Sequence, residues 1–296
     1  MNQITVYHYD AFTETPNKGN PAGVVIDADH LTDNQMQEIA YQVGFNETAF
    51  VFKSDQADLR IRYFSPGLEM NLCGHATIAA LYCLATRGLI NKSENFTIET
   101  KAGVLRIGFL EKNNRLYLLM DHAKPEFKPF VGSTDTLAEA MGMKPNDIDS
   151  DMPIVYGSTG SWTLLVPIKT LEAFSRMKPQ NSLFPTILTK IPRCSIHPFC
   201  LETTKKTVYM HARHFSSPFT GTTEDPVTGT ASGVMGAYSM TYLSPDKNDL
   251  DLVIEQGLEI GRAGEVCVTV KRRNGELSVT ISGTAVYSNE FMIAYE

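Results

Sequence analysis

The 296 residues include one tryptophan and five cysteines, and nowhere the roughly 18 or more consecutive apolar residues that a membrane helix needs. The cysteines, at 73, 83, 194, 200 and 267, are odd in number, scattered and without a Cys-x-x-Cys pair. That excludes a disulfide framework and predicts mostly reduced, buried thiols. Positive charge is also short: 26 Lys and Arg stand against 33 Asp and Glu, a net −7. A nucleic-acid backbone or an anionic membrane needs a cationic face that nothing here concentrates, so neither is expected as a partner. No P-loop and no Gly-x-Gly-x-x-Gly after a strand appears, so no nucleotide cofactor is expected. The start, MNQITVYHYDAF, lacks the basic and then apolar regions of a secretory signal. A soluble, cytoplasmic protein acting on a small molecule is the expectation.

What is present is mainly short β-rich segments: ITVYHYDAF, AGVVI, TAFVF, LRIRYF, FTIET, VLRIGFL, RLYLLM, SWTLLVPI, TVYMHARHF, EVCVTVKRR and LSVTISGTAVYS. They alternate apolar and polar residues between Gly, Asn, Asp or Pro boundaries. Helices are few. Thr32 and Gln35 form a capping box before MQEIAYQV, with Gly44 as the stop, and Ser133 opens a second helix through LAEAMG. Two further helices, 76–86 and 231–243, are apolar on every face, so each must be enclosed on all sides. Gly233 and Gly236 permit close backbone approach in the second.

These two helices expose a repeat. The first half reads RYFSP (62–66), Glu69, then CGHAT; the second reads RHFSSP (213–218), Glu224 and Asp225, then TGTAS. Aligning Gly74 with Gly229 gives Gly-x-Ala-Thr/Ser twice, each opening an apolar helix after an Arg-x-Phe strand. A duplication explains this, and the architecture it predicts is α+β: two β-rich lobes, each around a central helix, facing across a cleft. The boundaries expected are 1–121 plus about 284–296 for one lobe and about 122–283 for the other.

A helix start leaves about four N–H groups unpaired and carries roughly half a positive charge, which suits a carboxylate or a developing enolate. Packing of helix against strand is the plainer reading of one such glycine; two in matching context favour a ligand. The proton-transfer group is sought nearby. In GFNETAFVF, Glu47 is the one ionisable residue among Phe45, Ala49, Phe50 and Val51. Desolvation of that kind raises a carboxyl toward neutrality and suits proton transfer, although spacing alone favours a turn glutamate facing solvent.

GNPAGVV, GFNETAFV, RYFSPGLEMNLCGHAT, GTTEDPVTGTASG and EQGLEIGR together resemble the PhzF family of phenazine-biosynthesis-like proteins, within the diaminopimelate epimerase fold. The resemblance runs in order from near residue 5 to near 290. It implies two pseudosymmetric β-barrel-like lobes, each around an apolar helix, and a cofactor-independent isomerase that tends to dimerise. Glu47 is then the proton shuttle, with His75 and Asp225 lining the substrate and helping to place protons. Asn20, Asn46, Gly74, Gly229 and Thr230 bind a small carboxylate-bearing metabolite. Asn46 and Thr230 stand where the phenazine enzyme has serine.

Two alternatives stay open: a two-base racemase or epimerase using Cys73, whose repeat partner is Thr228, and a metabolite-binding protein without turnover. A Cys73–His75 hydrolase dyad is disfavoured, since groups two apart across a helix start need not converge and no orienting acid is apparent. Cys194, His197 and Cys200 have ligand-like spacing, but they are only three, with Pro198 between, and no metal is expected. His211 and His214 should point to opposite faces, whereas Arg213 with Phe215, and Arg62 with Phe64, should share one.

Overall fold

A computed structural model describes residues 2–296. The chain forms two compact units, residues 1–121 with 282–296, and residues 122–281.

The first unit contains strands β1 (Asn2–Ala11), β2 (Asn20–Val25), β3 (Glu47–Phe52), β4 (Leu59–Phe64), β5 (Glu69–Met70), β6 (Thr97–Thr100), β7 (Gly103–Lys112), β8 (Arg115–Asp121) and the last strand, β17 (Ala285–Tyr295), with helices α1 (Asp33–Val43) and α2 (Gly74–Thr86). The local signals at α1 act as their chemistry dictates. The Thr32 hydroxyl accepts from Gln35 N, the Gln35 side chain accepts from Thr32 N, and Gly44 takes φ 70° to end the helix. β1 is flanked antiparallel by β17 and β2; β2 and β3 run parallel, β3 and β4 antiparallel, β4 and β6 parallel, and β6, β7 and β8 antiparallel. Strands β1, β2, β3, β8 and β17 pack on α2, whose residues from His75 through Leu81 are all buried, as are Cys83 and Leu84. Burial all round explains why the helix has no polar face: each enclosed Leu or Ile contributes about 1.5–3 kcal/mol. The helix begins at Gly74, so Gly74 and His75 belong to its first turn.

The second unit contains β9 (Glu126–Pro129), β10 (Val155–Ser158), β11 (Trp162–Pro167), β12 (Ser195–Cys200), β13 (Met210–Ala212), β14 (Asp249–Gln256), β15 (Gly264–Arg273) and β16 (Glu276–Gly283, which ends in the first unit), with helices α3 (Thr134–Ala140), α4 (Leu171–Arg176), α5 (Phe184–Ile187) and α6 (Gly229–Tyr238). The short α4 and α5 carry no sequence signal long enough to read; proline stands second in α5. The apolar helix continues past α6 in one wider π turn, Ser239–Leu243. A Cβ on Gly233 would lie 2.4 Å from His122 Nδ1, and one on Gly236 2.5 Å from Val268 Cγ1. Those glycines are therefore required by the neighbours that enclose the helix.

The two units are built alike. From β9 to β15 the pairings run antiparallel, antiparallel, parallel, antiparallel, parallel, antiparallel, the same series as from β17 through β1, β2, β3, β4 and β6 to β7. The registers match residue by residue. Thr48 pairs with Phe64 as Ile196 bridges Phe215, and Arg60 pairs with Glu99 as His211 pairs with Glu255. Arg62 bonds Glu69 and lies over Phe64; Arg213 bonds Glu224 and lies over Phe215. The fold is α+β, with two pseudosymmetric curved sheets each around a buried apolar helix.

Candidate active site

Three elements of the first unit bring one cluster together. β3 begins at Glu47, β2 begins at Asn20, and α2 begins just after Cys73. Glu47 pairs with Ala22 across the parallel β2–β3 ladder, which places the carboxylate beside the residues that open β2. Cys73 is the N-cap of α2 with an extended backbone, φ −139° and ψ 117°, and its side chain makes no capping bond. It therefore turns back toward the first helical turn, where His75 stands.

His75 is the centre. Its Nε2 lies 3.2 Å from Glu47 Oε2, and its Nδ1 lies 3.1 Å from Asn20 Nδ2 and 3.4 Å from Cys73 Sγ. Asn20 is fully buried, His75 and Cys73 nearly so, and the Glu47 side chain retains 17% exposure. Glu47 is thus neither the isolated carboxyl among apolar residues nor the free turn glutamate that its sequence neighbours suggest; it is paired with an imidazole. Cys73 and His75 do converge, against the sequence expectation, because an extended N-cap folds its side chain over the helix start. An acid stands on the far nitrogen. Burial opposes a charged imidazole, but the Cys73 sulfur and the Glu47 carboxylate outweigh it and hold His75 well above the usual histidine range. Burial, followed by the Glu47 charge, pushes the Cys73 thiol up.

Glu47, Cys73 and His75 offer an oxygen, a sulfur and a nitrogen within 4.8 Å of one another. They form a hydrogen-bonded relay, in which the sulfur stands nearer Nδ1, at 3.4 Å, and the carboxylate stands on Nε2. The ligand-like spacing of Cys194, His197 and Cys200 dissolves in strand alternation. Cys194 and Cys200 pack with Leu137 and Phe174 in an apolar cluster, whereas His197 turns to His214 Nδ1, 3.0 Å away, and to Met235.

At the matching helix start of the second unit, Thr228 is the N-cap of α6 and donates its hydroxyl to Asp225 Oδ2 at 2.5 Å. The Gln256 amide holds the same turn, accepting from Thr228 N at 3.1 Å and donating to Asp225 O at 2.7 Å. Sequence reasoning saw the EQGLEIGR motif without this function for its glutamine. Gly229 is buried; Asn46, Gly74, Asp225 and Thr230 are partly exposed. The strand registers make Ser195 the counterpart of Glu47, and the matching helix starts make Thr228 that of Cys73 and Thr230 that of His75. One unit carries ionisable groups where the other carries hydroxyls.

Two such units, each a curved sheet around a buried apolar helix, define the class of fold to which the chain belongs. A probable proline racemase from Agrobacterium radiobacter, solved with bound carbonate, superposes with a TM-score of 0.66 over 99% of this chain and 93% of its own, at 12% identity, a likeness of fold alone. Within that class the chain belongs to the PhzC-PhzF family, phenazine biosynthesis-like proteins, whose sequence model matches residues 9–290. The uncharacterized isomerase YfhB of Bacillus subtilis is 49% identical over 97% of this chain and 98% of its own length. The crystal structure of a Bacillus anthracis phenazine biosynthesis protein of the PhzF family is 53% identical, covering 99% of this chain and all of that one, with a TM-score of 0.97. The protein is a member of an isomerase family.

Proposed function

We propose that the protein is a cofactor-independent isomerase that moves a proton between two carbons of a small carboxylate-bearing metabolite, with Glu47 as the acid and base. The carrying observation is the Glu47–His75 pair at 3.2 Å, formed in one of the two units only. As a carboxylate, Glu47 removes the acidic carbon-bound proton; as the acid so formed, it returns that proton to another carbon on the same face. His75 holds the carboxylate through Nε2. The first-turn N–H groups of α2, beside Gly74, receive the substrate carboxylate or the enolate-like charge of the intermediate. A Cβ on Gly74 would meet no protein atom within 4 Å, which leaves that backbone open to a ligand. By family resemblance Asp225 is assigned to lining the substrate and helping to place protons, Asn46, Gly229 and Thr230 to binding it, and the protein to a homodimer; its place is assigned to the cytoplasm.

The contact of Cys73 with His75 favours a second reading, two-base epimerisation with the thiol as the other acid. The hydroxyl of Thr228 at the equivalent position supports the one-base reading instead. The two differ in outcome. A panel of small unsaturated, amino and hydroxy carboxylic acids is incubated with the protein in deuterated water and followed by NMR. Deuterium incorporation with double-bond migration and no inversion is expected. Inversion at a single carbon assigns the epimerase, and binding without exchange assigns a metabolite-binding protein. Glu47→Gln should keep the fold and lower exchange by about 10³-fold or more; retained exchange would remove Glu47 from the role.

A further inference from the structure

We infer that Asn20 is a positioning residue that fixes the tautomer of His75, so that Nε2 keeps its proton and presents it to Glu47 whenever the ring is neutral. Asn20 opens β2, has no exposed surface, and points its amide nitrogen at His75 Nδ1 from 3.1 Å. An amide N–H needs a lone pair to donate to, and on an imidazole that means an unprotonated Nδ1. The ring's remaining proton is then on Nε2, 3.2 Å from the Glu47 carboxylate. The groups that bond the ring include Asn20 from β2, Glu47 from β3 and Cys73 from the helix cap.

This role goes beyond substrate contact and takes its catalytic meaning from the reading of Glu47 as the shuttle. A carboxylate that must give and take a proton works best when its neighbour does neither. With Asn20 donating to Nδ1, the proton that the ring gains or loses is the one on Nδ1. The Nε2–H bond to Glu47 is kept in both states, and the imidazole offers no basic nitrogen to the proton in transit. Were the Asn20 amide turned the other way, its carbonyl would draw the proton to Nδ1. Nε2 would then face Glu47 as a lone pair and compete for the shuttled proton. The orientation of one buried amide therefore decides which side chain is the base.

The test needs no substrate, so its failure is separate from failure of the Glu47 assignment, which exchange in Glu47→Gln decides. Long-range proton–nitrogen NMR of histidine-labelled protein, with His75 assigned by its loss in His75→Asn, reads each ring nitrogen across a pH series. The expected wild-type pattern for the neutral ring is a protonated Nε2 and an unprotonated Nδ1. In Asn20→Asp the carboxylate accepts instead, and Nδ1 becomes protonated over the whole range. Should a buried carboxylate prevent folding, Asn20→Ala removes the donor, and the neutral ring becomes a mixture of both tautomers. A wild-type ring protonated at Nδ1 when neutral, or doubly protonated throughout, overturns the inference. So does a folded variant with the wild-type pattern.

Discussion

His211 shows how strongly one buried residue can tie stability to pH. Its side chain is 1% exposed, with Glu255 Oε1 2.9 Å from Nδ1 and Glu259 Oε1 2.7 Å from Nε2. Burial alone would lower it, but the two carboxylates outweigh burial and raise the imidazole to about 9. A group raised in the folded state contributes fully below its unfolded value, about 6.5, and that contribution is lost as pH rises through about 9. The unfolding free energy should fall across that window by up to about 3 kcal/mol. Chemical denaturation at several pH values checks this: His211→Gln should be less stable at neutral pH and show a flatter dependence, and an unchanged slope would refute the assignment. The sequence reading placed His211 and His214 on opposite faces, which strand geometry alone decides. It could not find the carboxylates, because Glu255 and Glu259 lie 44 and 48 residues away. The relay is similar. Cys73 and His75 are neighbours in the chain, yet their contact depends on the N-cap dihedrals, and the links to Glu47 and Asn20 depend on the β2–β3 register.

At the scale of elements, the glycines of the two buried helices separate packing from ligand access. Gly236→Ala places a methyl 2.5 Å from Val268 Cγ1 and 2.9 Å from Val270 Cγ2. Overpacking of that kind costs about 1–3 kcal/mol, so the denaturation midpoint should drop. Gly74→Ala meets no atom within 4 Å and should leave stability within about 0.5 kcal/mol. If the start of α2 receives the substrate, that same variant should weaken binding of a turned-over acid at least several-fold, measured as a rise in KM; wild-type KM would move the substrate elsewhere. The helix signals that were readable are those with local chemistry: the Thr32–Gln35 box, the Ser133 cap and the unbroken apolar runs. Cys194, His197 and Cys200 have ligand-like spacing only because spacing ignores the side on which a strand displays each residue. The short α4 and α5 were missed because three or four apolar positions do not establish a period.

At the scale of the molecule, the repeat was legible as two short motifs, and the registers extend it to whole sheets. The same hydrogen-bonding series recurs, and Arg60 with Glu99 and His211 with Glu255 occupy one position in two versions. What the motifs could not show is how far chemistry has diverged on the shared frame, since Glu47 and its counterpart Ser195 are related only through strand pairing. The frame also makes a prediction about folding. The first unit is completed by the chain's last segment: β17 pairs with β1 from Asn2–Tyr295 to Ala11–Ala285, and its Ala285, Ile293 and Tyr295 are buried. The second unit has its own core around Leu137, Tyr156, Leu164, Phe174 and Phe215. Removing residues 285–296 strips β1 of one partner and α2 of one wall. The loss is comparable with the whole stability of a domain, about 5–15 kcal/mol. Hydrogen exchange followed by mass spectrometry should find protection lost in peptides from 2–121 and retained in α6, β14 and β15. Equal loss in both units would mean that they fold as one cooperative body, and protection retained in β1–β3 would mean that β17 only decorates the sheet.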